Sequence, residues 1–167
     1  AYKLNDGKTG FFRVKYARIE DLRQLGDRVQ RKVLPAEDRW GLQNDLYALA
    51  VAGEARLEDY LAFLEHFRDE EDYLPLAGIA ANLSHAHLVA GRDTAARIAA
   101  LAGPWFGQVL ERIGYAPAAD EDHMTAILRD QILFDAVRYG CPEAEAEALA
   151  RFAELRRGGT VHPDLLR

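Results

Sequence analysis

Three residue types that carry chemistry are nearly missing from this chain: among its 167 residues there is one serine, Ser84, one cysteine, Cys141, and one methionine, Met124. A single cysteine rules out an intrachain disulfide, and a chain so poor in thiols fits a reducing compartment, so a cytoplasmic location is expected. Cys141 stands beside Pro142 at an expected helix start; a small, buried residue is its plain reading. With one serine, a G-x-S-x-G nucleophile elbow is absent, and a serine mechanism would have to bring Ser84 to a distant histidine. The five histidines (His66, His85, His87, His123, His162) include no H-E-x-x-H pair, so they supply no zinc-peptidase helix. His85 and His87 are two apart and would point away from each other on a helix. The Gly7–Gly10 stretch "GKTG" lacks the spacing of a phosphate loop.

Lysine is also scarce, 17 of the 21 basic residues being arginine, and these are scattered through a chain of net charge −6. That distribution argues against a nucleic-acid partner. No apolar run approaches the ~20 residues needed to cross a bilayer, so no membrane partner is expected.

What is present is apolar periodicity in a chain that is 49% hydrophobic, long enough for one domain burying roughly two-thirds of its unfolded surface. Residues 2–16 read as a β-hairpin: Phe12, Val14 and Tyr16 alternate with Arg13 and Lys15 after a turn-forming cluster at 5–10. An isolated hairpin is marginal in water, so it should pack on the first helices or pair with another chain along its edges.

From residue 19 the period is helical. The expected helices run from about 19 to 33, from Pro35 to Gly53, and from about 57 to 67. The fourth runs from about 73 to Gly91. The fifth runs from Asp93 or Thr94 to about 113, with a kink expected at Pro104; the sixth covers about 120–139, and the seventh runs from Pro142 to Gly158. Expected buried stripes include Leu22, Leu25, Val29 and Val33 in the first helix, Leu42, Leu46, Leu49 and Ala50 in the second, and Tyr60, Leu61, Leu64 and Phe67 in the third.

The fold class is therefore all-α, with short linkers favouring antiparallel helix pairs in a HEAT- or armadillo-like superhelical stack after the hairpin. No fixed-period self-similarity accompanies it. The closing "VHPDLLR" reads as the start of a further helix. The acidic clusters at 69–72 and 120–122 precede helices, where carboxylates suit the dipole. Arg39, Asp45 and Arg129 stand on or beside apolar stripes and need partners, because an unpaired buried charge is costly. An Asp45–Arg129 or similar pair that fixes helix register is the expectation, with contact to a substrate as the alternative.

Four stretches in order resemble one family. "LNDGKTGFFRVKY" (4–16) resembles the N-x-x-x-x-G-[FY]-[FY]-R-V-x-Y signature of zinc aminopeptidases related to aminopeptidase N and puromycin-sensitive aminopeptidase. "LPAEDRWGLQNDLYALAVAG" (34–53) is similar to the opening of their helical domain, and "EEDYLPLAGIAANL" (70–83) and "LRDQILFDAVRYGCPEA" (128–144) continue the pattern. The tricorn-interacting and puromycin-sensitive branches look nearest.

The resemblance implies a fragment: 1–17 as the terminal hairpin of a preceding β-sandwich domain, and 18–167 as part of a C-terminal superhelical domain that closes over the active site. The family's H-E-x-x-H, its third glutamate, its oxyanion tyrosine and its G-x-M-E-N segment are not in this chain. No catalytic, metal or substrate-binding residue is therefore assigned, and no cofactor is expected in this chain, zinc belonging to the catalytic domain. The implied partners are the other domains of the same polypeptide and, through the full enzyme, peptide substrates. The competing reading is a free-standing helical-repeat scaffold that binds a protein or peptide.

Overall fold

Helix ends are set by local chemistry that repeats along the chain. Four helices end in the same reversal, where a residue of positive φ lets two amides bond back into the last turn. Gly53, Gly140 and Gly158 take that position three times, at φ 74°, 75° and 82°. Lys32 takes it once, at φ 52°, with Lys32 N bonding Val29 O at 2.8 Å and Val33 N bonding Arg28 O at 3.0 Å. The reversal turns Val33 away from the stripe it was expected to join, and Val33 is exposed.

The computed structural model describes residues 2–161. It is all-α: α1 Ile19–Gln30, α2 Ala36–Val51, α3 Leu57–Phe63, α4 Tyr73–Val89, α5 Arg92–Ile113, α6 His123–Arg138 and α7 Pro142–Arg156. Two 3₁₀ turns, Asp6–Lys8 and Leu64–Phe67, complete the regular structure among the described residues. The second tightens the end of the expected third helix. α5 continues through Pro104 without interruption. α6 begins three residues later than expected, with the Asp122 side chain accepting from Met124 N at 3.0 Å. Residue 161 has no regular structure, and the rest of "VHPDLLR" lies outside the described residues.

The expected hairpin is not formed; no strand occurs among the described residues. The reason is that side chains take the backbone groups a ladder would use. Asn5 and Lys8 both have positive φ, 57° and 56°, around the 3₁₀ turn. The Asn5 side chain accepts from Gly10 N at 2.7 Å and donates to the carbonyls of Gly10 and Phe12, each at 3.0 Å. Val14 N donates to the Asp45 carboxylate at 3.1 Å rather than to a neighbouring strand. Residues 2–16 nonetheless lie against α2, as packing on the first helices requires.

The chain divides into two compact units, Ala1–Asn82 and Leu83–Arg167. In the first, α1, α2, α3 and the following 3₁₀ turn pack around Leu25, Val29, Leu46, Tyr60, Leu64 and Phe67. The Tyr47 and Tyr60 rings meet at 5.0 Å. Close approach of α1 depends on Gly26, where a Cβ would lie 2.2 Å from the His66 ring. In the second unit, α6 packs against both α5 and α7. Its core contains Ile98, Trp105, Phe106, Leu110, Ile132 and Ala136, each 1% exposed or less.

Candidate functional site

α2 is not amphipathic in the ordinary way: polar residues are buried on several of its faces. Asp38 and Asp45 stand two turns apart on one side and both are buried, with Gly41 between them. Lys3 Nζ meets Asp38 at 2.5 Å, and Gly7 N donates to the same carboxylate at 2.8 Å. Lys8 Nζ meets Asp45 at 2.6 Å, and Arg13 Nη1 meets it at 3.2 Å. A Cβ on Gly41 would lie 2.7 Å from the Lys8 stem, so glycine is what admits that side chain.

Elsewhere on α2, the buried Arg39 makes a fork to Glu70, Nε to Oε2 at 2.7 Å and Nη2 to Oε1 at 2.9 Å. It also reaches Asp72, and Nη1 donates to Leu34 O at 2.6 Å. The hydrogen-bonded carboxylate of Glu70 raises the Arg39 pKa further, against the opposing effect of burial. Glu70 in turn accepts from the Glu71 and Asp72 amides at 3.0 and 3.1 Å. Gln43 Oε1 accepts from Tyr60 Oη at 3.2 Å and from Asn82 Nδ2 at 2.9 Å. The 69–72 cluster is thus more than a dipole complement: its Glu70 is a buried ion-pair partner.

In the second unit, Arg129 is 1% exposed. Its Nη1 donates to Glu121 Oε1 at 2.7 Å and its Nη2 to Glu121 Oε2. Nε donates to Gly114 O at 2.8 Å and Nη2 to Ile113 O at 2.9 Å, so the guanidinium also satisfies carbonyls at the end of α5. Asp45 and Arg129, expected to pair with each other, therefore each have other partners, inside their own units. The sequence pattern marked both as buried charges. It missed Lys8 because 2–16 read as a strand pair, and Glu121 because 120–122 read as a solvated helix start.

A second polar cluster joins Ser84 to α6. Arg138 Nη1 donates to Ser84 Oγ at 2.9 Å and stands 3.6 Å from Asp135. Burial raises the pKa of Asp135, with the Ser84 hydroxyl and the charges of Arg138 and His87 opposing it. Burial also pushes the Tyr139 phenol up strongly. The His87 ring packs edge-on to Tyr139 at 5.1 Å. Among the described residues no group of three or more His, Cys, Asp or Glu could hold a metal ion. A cleft of about 240 Å³ is lined by Val14, Tyr16, Leu22, Leu42, Leu46 and Leu49, together with Glu54 and Asp59. That is below the size of a usual ligand pocket, ~300–1,000 Å³.

Among the described residues, the buried charges of α2 and α6 are met by partners in neighbouring segments of a helical domain. The chain belongs to the ERAP1-like C-terminal domain family, whose family model matches residues 1–167. Aminopeptidase M1-D of Oryza sativa subsp. japonica is 31% identical over 153 residues, covering 90% of this chain and 17% of the relative. Puromycin-sensitive aminopeptidase of Caenorhabditis elegans is 29% identical over 167 residues, covering 98% and 18%. Tricorn protease-interacting factor F2 of Thermoplasma volcanium is 26% identical over 125 residues, covering 75% and 15%. The chain thus spans less than a fifth of the length of the curated relatives it matches. No helix among the described residues is long and apolar enough to cross a membrane.

Proposed function

We propose that this chain serves as the non-catalytic C-terminal helical domain of a zinc-dependent metallo-aminopeptidase, which removes N-terminal residues from peptides. The observation that carries the reading is the match of the whole chain to a C-terminal domain family, joined to relatives that bear aminopeptidase names and are several times longer. On this reading the helical layer walls and closes the cavity over a zinc held elsewhere in the polypeptide, and limits which peptides enter. Residues 1–17 belong with a preceding β-sandwich domain and 18–167 with the helical one, the boundary falling just before α1. The helices continue as antiparallel pairs in a HEAT-like stack, which the packing of α6 on both α5 and α7 supports. The partners are the remaining domains, with peptides met through the assembled enzyme, in the cytoplasm.

The test is direct. The purified chain, supplied with zinc, is expected to leave aminoacyl-anilides uncleaved. Zinc-dependent turnover that survives repurification would overturn the reading.

A further inference from the structure

The polar cluster around Ser84 lies wholly within the second unit, where the last turns of α4 meet the end of α6. Three polar atoms there are closed off from solvent and have no hydrogen-bond partner within the protein: His87 Nδ1, Asp135 Oδ1 and Tyr139 Oη. Asp135 is 2% exposed and Tyr139 7%. Further polypeptide packed outside the unit could only deepen that burial.

The three atoms belong to one place. Asp135 and Tyr139 stand one turn apart at the end of α6. The His87 ring meets Tyr139 edge-on at 5.1 Å, and Phe106 packs on Tyr139 at 5.9 Å. The charge of His87 acts on Asp135, and that of Asp135 acts on the Tyr139 phenol. The neighbours of Asp135 do not meet the need of Oδ1. Ser84 is hydrogen-bonded to the carboxyl, yet Oδ1 receives no donor. Arg138 Nη1, at 3.6 Å, is beyond hydrogen-bond length and donates to Ser84 Oγ instead. Buried polar atoms in native proteins are nearly always partnered, because burying them without a hydrogen bond is costly. Their complement of protons is informative. An ionised carboxylate accepts, an imidazole with its proton on Nε2 accepts at Nδ1, and a phenol held neutral by burial donates.

We infer that His87, Asp135 and Tyr139 together bind one water molecule, an internal component of this unit that ties α4 to α6. The water donates to Asp135 Oδ1 and to His87 Nδ1 and accepts from Tyr139 Oη, so each of the three atoms gains the bond it needs. It extends the direct Arg138–Ser84 bond into a polar bridge between the two helices, and it holds His87 in the Nε2–H tautomer.

The test is a crystal structure of the native protein that carries this chain, at a resolution that shows ordered water. One peak is expected within about 2.5–3.2 Å of all three atoms. No peak, or a peak that misses any of the three, overturns the site. Asp135→Leu with Tyr139→Phe then removes an acceptor and the donor while keeping the ring packed on His87 and Phe106. A buried water needs at least two polar partners, and only one remains, so the peak should be lost. A peak that persists at the same position would mean that other groups hold it, which also overturns the assignment. Should the double variant fail to fold, the parent structure decides by itself.

Discussion

Replacing Arg129 by methionine removes a guanidinium that does three things: it pairs Glu121, and it satisfies the carbonyls of Ile113 and Gly114. Methionine keeps much of the volume, so the loss is chiefly electrostatic. Breaking a buried ion pair by deleting one partner costs about 3–5 kcal/mol, because the remaining charge is left without compensation. Glu121 is not fully enclosed, its side chain being 13% exposed, which places the expected cost near the lower end. The two carbonyls, each half-buried in its residue, add about 1 kcal/mol between them, since water reaches part of that turn. A total of about 4 kcal/mol is a large share of the ~5–15 kcal/mol that holds a typical domain. The assay is urea unfolding followed by Trp105, which is buried in the same unit, in a Trp40→Phe background that leaves Trp105 the sole tryptophan. With a slope of about 2 kcal/mol per M, the midpoint should fall by about 2 M. Adding Glu121→Leu should recover about 2 kcal/mol, because the carboxylate that lost its guanidinium, and kept the Ala118 amide at 3.3 Å, is then gone. A single variant that costs under about 1 kcal/mol, or a double variant no better than the single, would refute this reasoning.

Three further outcomes are expected. Gly26→Ala drives a Cβ into the His66 ring at 2.2 Å. It should cost about 1–3 kcal/mol of the first unit's stability, and much less when His66→Ala is already present. Lys32→Gly should raise stability by about 0.5 kcal/mol, the relief of a left-handed lysine outweighing the loss of its exposed pair with Glu71; a measured decrease would contradict it. Asp135 gives a pH signature. Burial raises its folded pKa, so its contribution to stability is full below the ordinary carboxylate value of about 4 and is lost as pH rises through the raised one. Asp135→Asn should therefore gain on the parent chain as pH climbs from 4.5 to 8 in paired urea midpoints; a constant or shrinking gap would contradict the sign.

Much of the helical layout could be read directly, because the signals that end helices are local. Gly53 and Gly140 stop α2 and α6 where their backbone freedom is needed, and Pro142 opens α7. Local signals misled where a side chain competed with the backbone. The alternation of Phe12, Val14 and Tyr16 is a strand pattern, yet Asn5 and Asp45 take the amides and carbonyls that pairing would require. Charges were legible in part. Asp45 and Arg129 stood out because they interrupt apolar stripes, which says that each is buried but not by whom it is met. The partners, Lys8 and Glu121, lie in segments whose own patterns point to solvent, and only the tertiary fold brings them in. Asp38 could have been found the same way: two carboxylates two turns apart, with a glycine between, form a slot on one helix face.

The central claim is that this helical chain works as part of a much longer aminopeptidase, and the size of its native product tests that most directly. An antibody raised against residues 18–157, used on a lysate of the source cells, should detect a band about five to six times the 18.7 kDa of this chain, as the 17–19% coverage of its plant relatives requires. A single band at 18.7 kDa would contradict the claim and leave a helical scaffold that acts on its own.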